Sequence, residues 1–356
     1  MLNKIKAVVV DDSAFMRKSL SIMLESDSEI EVVGTARDGL DGLNLIKSVK
    51  PDIVTLDVEM PRMDGLTALK KIMSECPTSV IMVSSITTEG ADATLKALEL
   101  GAVDFIPKEL SYVSVNIVKI KEDLIRKVKE IVRQKAVQMR LRRIQGTAGI
   151  ESKPAAALPV RSLPRIGYKA VALGISTGGP MSLQKVIPGL SKNLNCPVFI
   201  VQHMPPKFTK SLADRLNGLS ELEVKEAEHN EVVRNGVVYI APGGFHMTLR
   251  RSSTGGNLIE ISEKPDDTLH RPSVDVMISS VLKVYGKQTL GVIMTGMGKD
   301  GFEAIRELKS LGGYALAQDE QSCVVYGMPK AVVDSGCADV VAPLEKIAEV
   351  INKALV

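Results

Sequence analysis

The sequence has few aromatic residues, few cysteines and almost no net charge. Phenylalanine, tyrosine and tryptophan together make up 3% of its 356 residues, tryptophan is absent, and the formal net charge is +3. So small a charge does not by itself suggest a nucleic-acid or membrane surface. The four cysteines show neither C-x-x-C nor zinc-site spacing, so we interpret them as buried thiols of a reducing compartment.

Long apolar runs are missing as well. No run approaches the ~20 residues that a membrane span needs. The first run, IKAVVV, is too short for the core of a signal peptide, and acidic residues follow it at once. We therefore expect a cytoplasmic protein without membrane insertion. An apolar content of 45% is that of a globular protein, and 356 residues suffice for two domains.

The first half of the chain alternates apolar runs with helical patterns. Five runs are expected to be strands: 5–10, 30–34, 52–56, 79–83 and 102–106. This order predicts a parallel sheet covered by helices on both faces. Polar residues follow these runs, at the edge where such sheets bind ligands. They are Asp11, Asp12, Asp57, Ser84 and Lys108.

Three of these polar residues are carboxylates that are expected to converge at the sheet edge. Hard oxygen ligands of this kind suit Mg²⁺, and the alternative is a set of solvated loop acids. The surrounding motifs are DD at 11–12, TLDVEMPRMDG at 55–65, MVSS at 82–85 and DFIPK at 104–108. They resemble the receiver domain of two-component response regulators, a flavodoxin-like fold, over residues 1–125.

The receiver resemblance implies roles for the same five residues. Asp57 is expected to accept a phosphoryl group from a histidine kinase, with Mg²⁺ held by Asp11, Asp12 and Asp57. Ser84 and Lys108 are expected to bind the phosphoryl oxygens. Many receivers continue with Lys-Pro, whereas this chain has Lys108-Glu109 and departs from the pattern at that turn.

Residues 126–166 are predicted to be a helical extension and a linker. A helical pattern from Tyr112 to about Arg143 becomes basic, and residues 146–167 contain three prolines among small residues. The second stretch is typical of a flexible-to-extended linker. We interpret the basic run as a solvated helix face. Nucleic-acid contact is the alternative, although few aromatic residues lie nearby to stack on bases.

The second half of the chain is organised around VALGISTGGP, residues 171–180. It predicts a buried strand that ends in a tight turn, with Pro180 opening the next helix. The pattern fits G-x-S-x-G, the strained strand-to-helix turn that presents a nucleophile, here Ser176. The alternatives are a turn that merely closes a strand or one that holds a phosphate at a helix N-terminus.

A serine nucleophile needs an imidazole base and an acid that orients the ring. His203 and Asp300 each follow an apolar strand, as Ser176 does, so we expect all three at one edge of a parallel sheet. A structural role for His203 is the alternative. The other histidines are expected at the surface (His229) and in loops (His246 and His270).

The order Ser, His, Asp differs from the Ser, Asp, His order of α/β-hydrolases. GISTGGP, VQHMPP, IAPGGFHM, HRPSVDVM and TGMGKDG resemble the catalytic domain of the chemotaxis protein-glutamate methylesterases, the CheB family. With the receiver, this resemblance covers essentially the whole chain. It implies a doubly wound, mostly parallel α/β esterase domain over residues 167–356, with an oxyanion hole from the N–H groups of Thr177 and Met297.

The same resemblance implies an activity and its partners. The expected substrates are glutamate γ-methyl esters, and in related members glutamines, on methyl-accepting chemoreceptors. No cofactor is expected for the ester chemistry, no nucleic acid is expected as a partner, and a monomer is expected. The linker is long enough to let the receiver cover the Ser176 edge until Asp57 is phosphorylated.

Two other classes of protein fit less well. A transcription factor would need a short helix-turn-helix output domain, whereas the second half here is long and rich in predicted strands. A non-catalytic binding module driven by phosphorylation would not need Ser176, His203 and Asp300 together.

Overall fold

The computed structural model describes residues 4–108, 116–147, 162–253 and 255–356. The chain divides into two compact units, Met1–Met139 and Arg140–Val356. The expected turn at Glu109, the expected helix start at Tyr112 and most of the expected linker lie outside the described residues. Within the described part of the chain, no helix is long and apolar enough to cross a membrane.

The first unit is a parallel sheet with helices between its strands. Its strands are Ile5–Val10 (β1), Ile30–Ala36 (β2), Ile53–Asp57 (β3), Ser79–Ser84 (β4) and Asp104–Pro107 (β5). Its helices are Ala14–Glu25 (α1), Gly39–Val49 (α2), Gly65–Glu75 (α3), Thr88–Glu99 (α4) and the part up to Met139 of Asn116–Thr147 (α5). The strand order is β2-β1-β3-β4-β5, with every pair parallel. The predicted receiver fold is confirmed.

Side-chain caps set where the helices of the first unit begin. Ser13 accepts a hydrogen bond from the Met16 N–H and caps α1, as its position before the apolar pattern predicts. The apolar helical pattern of the sequence predicts a helix from Ala91 to Leu100, but helix α4 begins three residues earlier, at Thr88. The reason is that the Thr87 hydroxyl accepts from the Gly90 N–H at 2.9 Å and supplies the cap earlier in the chain.

The second unit has a larger sheet and one hairpin. Its strands are Ala170–Ile175 (β6), Val198–Gln202 (β7), Glu223–Glu226 (β8), Val237–Ile240 (β9), His246–Arg251 (β10), Asn257–Ser262 (β11), Thr289–Ile293 (β12), Tyr314–Gln318 (β13) and Val340–Ala342 (β14). Its α-helices are Gly179–Val186 (α6), Phe208–Leu219 (α7), Val274–Tyr285 (α8), Phe302–Ser310 (α9), Met328–Asp334 (α10) and Leu344–Leu355 (α11).

Seven of these strands form one parallel sheet in the order β14-β13-β12-β6-β7-β9-β8. Strands β10 and β11 form a separate antiparallel hairpin that packs on α8. The mostly parallel α/β fold predicted for this half is confirmed. Because β12, β6 and β7 are neighbours at the centre of the sheet, the loops that follow them leave the same edge side by side.

Two local predictions for this unit were wrong. After Pro180 the sequence predicts a helix over Met181–Leu190, whereas the helix begins at Gly179 and ends at Val186, followed by a short 3₁₀ turn at Ile187–Gly189. Pro188 lacks the N–H that would continue the α-helix. His246, expected in a loop, is the first residue of β10 and is fully buried.

Candidate functional site

The first unit carries an acidic pocket, formed by Asp11, Asp12 and Asp57. Asp57 is the last residue of β3, and the two other aspartates follow β1, so all three lie at the carboxyl edge of the sheet. One carboxylate oxygen from each residue lies within 4.8 Å of the others. Asp11 and Asp57 are buried, whereas Asp12 is exposed. Three such oxygens, with one open to solvent, form a donor set that fits a Mg²⁺ ion with bound water.

In the acidic pocket, burial disfavours the ionised form of the Asp11 and Asp57 carboxyl groups. It raises the pKa of Asp57 to about 6; Lys108 opposes the shift and the Asp11 carboxylate adds to it. Burial also raises the pKa of Asp11. Lys108 Nζ lies 2.6 Å from Asp57 Oδ2 and 3.4 Å from Asp11 Oδ2, so one ammonium serves two carboxylates. A divalent cation would supply the missing positive charge.

Ser84 ends β4 at the same edge, but its side chain is bonded elsewhere. Its hydroxyl donates to the Gly90 carbonyl in the first turn of α4, at 3.1 Å. Its own carbonyl accepts from the Lys108 N–H at 2.7 Å. The structure therefore brings Ser84 and Lys108 together through the backbone, with the Ser84 hydroxyl bonded to α4.

The second unit places Ser176 in a turn that leaves its side chain partly exposed between buried neighbours. The Ser176 N–H donates to the Thr295 carbonyl at 2.9 Å, and the Ser176 carbonyl accepts from the Gly179 N–H at 2.8 Å. The left-handed conformation of the turn falls on Gly178, with φ of 75°. The prediction of a strained serine was therefore wrong, because glycine adopts that conformation without a steric cost.

His203 and Asp300 are hydrogen bonded to each other. The Nε2 atom of His203 lies 2.8 Å from Oδ2 of Asp300, and both side chains are about nine-tenths buried. The other ring nitrogen, Nδ1, is buried and has no hydrogen-bond partner among the described residues. The ring of His270 stacks on that of His203, with centroids 4.1 Å apart. Nδ1 of His203 is therefore not engaged by another group in the described part of the chain and can exchange a proton.

The amino terminus of α8 holds the carboxylate of Asp300. Oδ1 accepts from the Ser273 hydroxyl and the Asp275 N–H, each at 3.0 Å, and Oδ2 accepts from the Val274 N–H at 2.7 Å. Burial alone would raise the pKa of Asp300, but the bond from His203 and these donors outweigh it and hold the pKa well below its usual range. Asp300 is therefore kept ionised.

Val274 fits tightly between two glycines beside this carboxylate. A methyl group added at Gly174, in β6, would overlap the Val274 side chain. One added at Gly301 would lie 2.6 Å from its Cγ1. Both glycines are thus required by close packing, and they let the N-terminus of α8 approach the sheet edge.

The other histidines are engaged away from Asp300. His246 Nδ1 accepts from the Ser273 N–H at 3.2 Å, and its Nε2 lies 3.2 Å from the Pro265 carbonyl. Burial lowers the pKa of His246, so this ring is a neutral structural bridge. His229 accepts from the Ile261 N–H, as a residue outside the sheet edge.

Thr177 and Met297 flank the Ser176 turn. Both are buried, and neither backbone N–H donates to another backbone group among the described residues. Met297 lies in the loop after β12, between Gly296 and Gly298. A methyl group added at Gly296 would lie 2.8 Å from Ser176 Cβ, so this loop passes directly beside the nucleophile candidate.

Sequence reasoning missed the groups that hold this arrangement in place. Ser273 and the first N–H groups of α8 were not assigned to Asp300, and the contact of His270 with His203 was not foreseen. A signal existed for the first. Ser273 precedes an apolar helical pattern and caps α8, which marks a helix start with N–H groups able to bind an anion.

Comparisons with known proteins identify the family of both units. The family model described as CheB methylesterase matches residues 171–351, and the one described as response regulator receiver domain matches residues 7–116. The chain belongs to the CheB methylesterase family.

Relatives of this family match the chain along its whole length. A protein of Oleidesulfovibrio alaskensis named protein-glutamate methylesterase/protein-glutamine glutaminase 1 is 50% identical over 373 residues, 99% of each chain. A Pyrococcus horikoshii protein named protein-glutamate methylesterase/protein-glutamine glutaminase is 47% identical, covering 100% of this chain and 95% of its own. The crystal structure of the Thermotoga maritima CheB methylesterase catalytic domain covers 54% of this chain and 100% of its own, with 46% identity and a TM-score of 0.51.

Proposed function

We propose that this CheB-family response regulator hydrolyses glutamate γ-methyl esters on chemoreceptors, and deamidates specific receptor glutamines, in the adaptation of bacterial chemotaxis. The names of its full-length relatives support both activities. The observation that carries the chemistry is the His203–Asp300 pair beside the Ser176 turn. Methyl esters and amides share one acyl-transfer route and differ in the leaving group, methanol or ammonia.

In this proposal Ser176 attacks the side-chain carbonyl while His203 takes its proton. Nε2 of His203 faces Asp300, so Nδ1 is the nitrogen left to act as the base. This orientation is the reverse of the serine-protease template, in which the acid faces Nδ1. The imidazolium then gives its proton to the departing oxygen or nitrogen. Water, deprotonated by the same nitrogen, releases glutamate and restores Ser176.

The negative charge that develops on the carbonyl oxygen needs donors at about 3 Å. The N–H groups of Thr177 and Met297 are assigned this role, since both lie beside Ser176 and lack a backbone acceptor among the described residues. Asp300 stays ionised throughout and stabilises the imidazolium. None of these steps requires a cofactor.

The receiver part of the proposal assigns Asp57 as the phosphoacceptor, with a chemotaxis histidine kinase as donor. Asp11, Asp12 and Asp57 would hold Mg²⁺, which fits their donor set and neutralises charge during phosphoryl transfer. Lys108 would pair with the new phosphoryl oxygens. Ser84 would exchange its bond to Gly90 for one to the phosphoryl group and so change α4. Phosphorylation then raises the esterase rate of a monomer that works in the cytoplasm.

The domain boundaries belong to the same proposal. The receiver is assigned residues 1–125, the extension and linker residues 126–166, and the catalytic domain residues 167–356. The family models match within the first and third of these ranges.

Mass spectrometry of a methylated chemoreceptor fragment tests this function. After incubation with the full chain, methyl glutamate residues should become glutamate, and selected glutamines should become glutamate. Ser176→Ala serves as the matched control and should leave both kinds of residue unchanged. Receptor that keeps every methyl ester in the presence of the wild-type protein would refute the proposed activity.

A further inference from the structure

A buried glutamine connects the backbones of the two residues assigned to proton transfer. Gln202 is the last residue of β7, directly before His203, and is 2% exposed. Its Nε2 donates to the Ser176 carbonyl at 3.0 Å and to the His203 carbonyl at 3.2 Å. The side-chain amide of Gln202 therefore donates one hydrogen bond to each of these two residues.

The orientation of this amide follows from its acceptors. Exchanging Nε2 and Oε1 would place a carbonyl oxygen against two other carbonyl oxygens, which repel it. In the orientation found, Oε1 lies against Gly179, where an added methyl group would overlap it. Oε1 is buried and has no hydrogen-bond partner among the described residues. A buried acceptor without a partner destabilises the folded state. Stability alone therefore does not explain a glutamine at position 202.

The amide adds a constraint that the sheet does not supply. Strands β6 and β7 pair through Ile175 and Gln202, and beyond them the chain leaves the ladder. The His203 N–H still donates to the Ile175 carbonyl, at the long distance of 3.3 Å. Past that point, the Gln202 amide joins the turn of the nucleophile to the residue that carries the base. Reacting groups displaced by about 1 Å can lose ~100-fold in rate.

We infer that Gln202 is a positioning residue, which sets the distance between Ser176 Oγ and His203 Nδ1 by binding both backbone carbonyls. This inference rests on the proposed triad. Because Gln202 touches neither substrate nor the reacting atoms, its loss should slow the chemical step and leave substrate binding intact.

Gln202→Met in the full chain tests the inference. Methionine keeps the length and the apolar stem, and it removes both donors together with the unpartnered Oε1. On a small soluble methyl ester we expect kcat to fall about 10- to 100-fold with KM changed less than about threefold. The melting temperature should fall less than in the control below, because removal of the unpartnered Oε1 offsets the loss of the two N–H bonds, so activity and stability move apart.

Asn352→Leu is the matched control. The Asn352 amide also bridges two backbone groups, accepting from the Ser191 N–H and donating to the Gly189 carbonyl, but it lies in α11 beyond the far end of α6. Its loss should lower the melting temperature and leave kcat within about twofold of the wild type.

The outcomes separate this inference from the triad itself. If Ser176→Ala is inactive and Gln202→Met keeps full kcat, the positioning role is wrong and the triad stands. If Gln202→Met lowers the melting temperature as much as Asn352→Leu does and the rate falls with it, the glutamine is structural and the inference is also overturned. If Ser176→Ala keeps its activity, the triad fails first.

Discussion

Both units place acidic residues at the edge of a sheet where parallel strands end. The pKa of the acidic residue is raised at one edge and lowered at the other. In the acidic pocket, burial raises the pKa of Asp57 to about 6, and Lys108, which also pairs with Asp11, offsets only part of this shift. At the catalytic edge, the Asp300 side chain is also largely buried, with 11% exposed, yet donors from α8 and His203 hold the pKa of Asp300 below its usual range. The first edge is incomplete without a cation. The second is complete within the chain.

The largest effect should come from the nucleophile. Ser176→Ala is expected to lower kcat by a factor on the order of 10⁴–10⁶, because the nucleophile and its base act as a unit. The rate of release of methanol from a soluble methyl ester measures it. Adding His203→Ala to Ser176→Ala should change little more. Activity above a few per cent in Ser176→Ala would contradict the assignment.

Asp300→Asn removes the charge that distinguishes the catalytic edge. We expect kcat to fall by roughly 10⁴, since the amide cannot stabilise the imidazolium or keep the proton on Nε2. Ser273→Ala is the graded control: it removes one donor of several to Asp300 and should cost only a few-fold. Equal losses in the two variants would show that the charge of Asp300 is not what matters.

Removal of Mg²⁺ should affect phosphorylation at the acidic pocket and not hydrolysis at the catalytic edge. A chelator should abolish labelling of Asp57 by a small phosphodonor, and Asp12→Ala should weaken it, because each removes part of the Mg²⁺ site. Basal hydrolysis of a soluble ester should stay within about twofold under the same chelator. Phosphate that still appears on Asp57→Asn at the wild-type level would disprove the phosphoacceptor assignment.

A fragment beginning at Arg165 tests whether the receiver restrains the esterase. We expect it to hydrolyse a soluble ester about tenfold faster than the unphosphorylated full chain and to ignore phosphodonor. Tenfold corresponds to only ~1.4 kcal/mol, a modest amount for a new phosphoryl group with charge-assisted contacts. A fragment no faster than the full chain would leave recruitment to receptors as the role of phosphorylation.

The smallest expected effect is on stability. A carboxyl whose pKa is 3.8 unfolded and about 6 folded destabilises the native state when ionised. Without Mg²⁺ at neutral pH, Asp57→Asn should therefore raise the free energy of unfolding of the receiver by about 1–3 kcal/mol. The advantage should shrink as pH falls from about 6 to about 4, where the wild-type carboxyl takes up a proton. Denaturant unfolding across this range measures it, and a constant difference would argue against burial as the cause.

The sequence was sufficient to predict the sheets and the edge that Ser176, His203 and Asp300 share, because apolar runs and helical patterns determine which residues follow each strand. It was insufficient for the groups that hold those residues. The contact of Asp300 with α8 joins segments 25 to 27 residues apart, and the Gln202 amide joins Ser176 to His203. Periodicity describes which face of an element is buried, and it carries no record of such side-chain contacts.

The wrong predictions have local causes of the same kind. The motif around Ser176 suggested a strained serine, but the left-handed residue of the turn is Gly178. The spacing of the glycines does not determine which residue of the turn is left-handed. His246 follows a glycine-rich stretch and was expected in a loop. It begins a strand because pairing with β11 reaches back to it across the hairpin.

The packing of Val274 against Gly174 and Gly301 has a consequence for how this family can vary. A larger residue at either glycine displaces the valine, and the valine carries one of the N–H groups that bind Asp300. A larger residue at Gly174 therefore needs a smaller one at Val274, so that volume is exchanged between the two positions. Substitutions here are epistatic: Gly174→Ala should be harmful alone and partly restored by Val274→Ala. Evolutionary change around Val274 therefore proceeds by compensated pairs of substitutions, and a designer who alters the residues around Asp300 meets the same constraint.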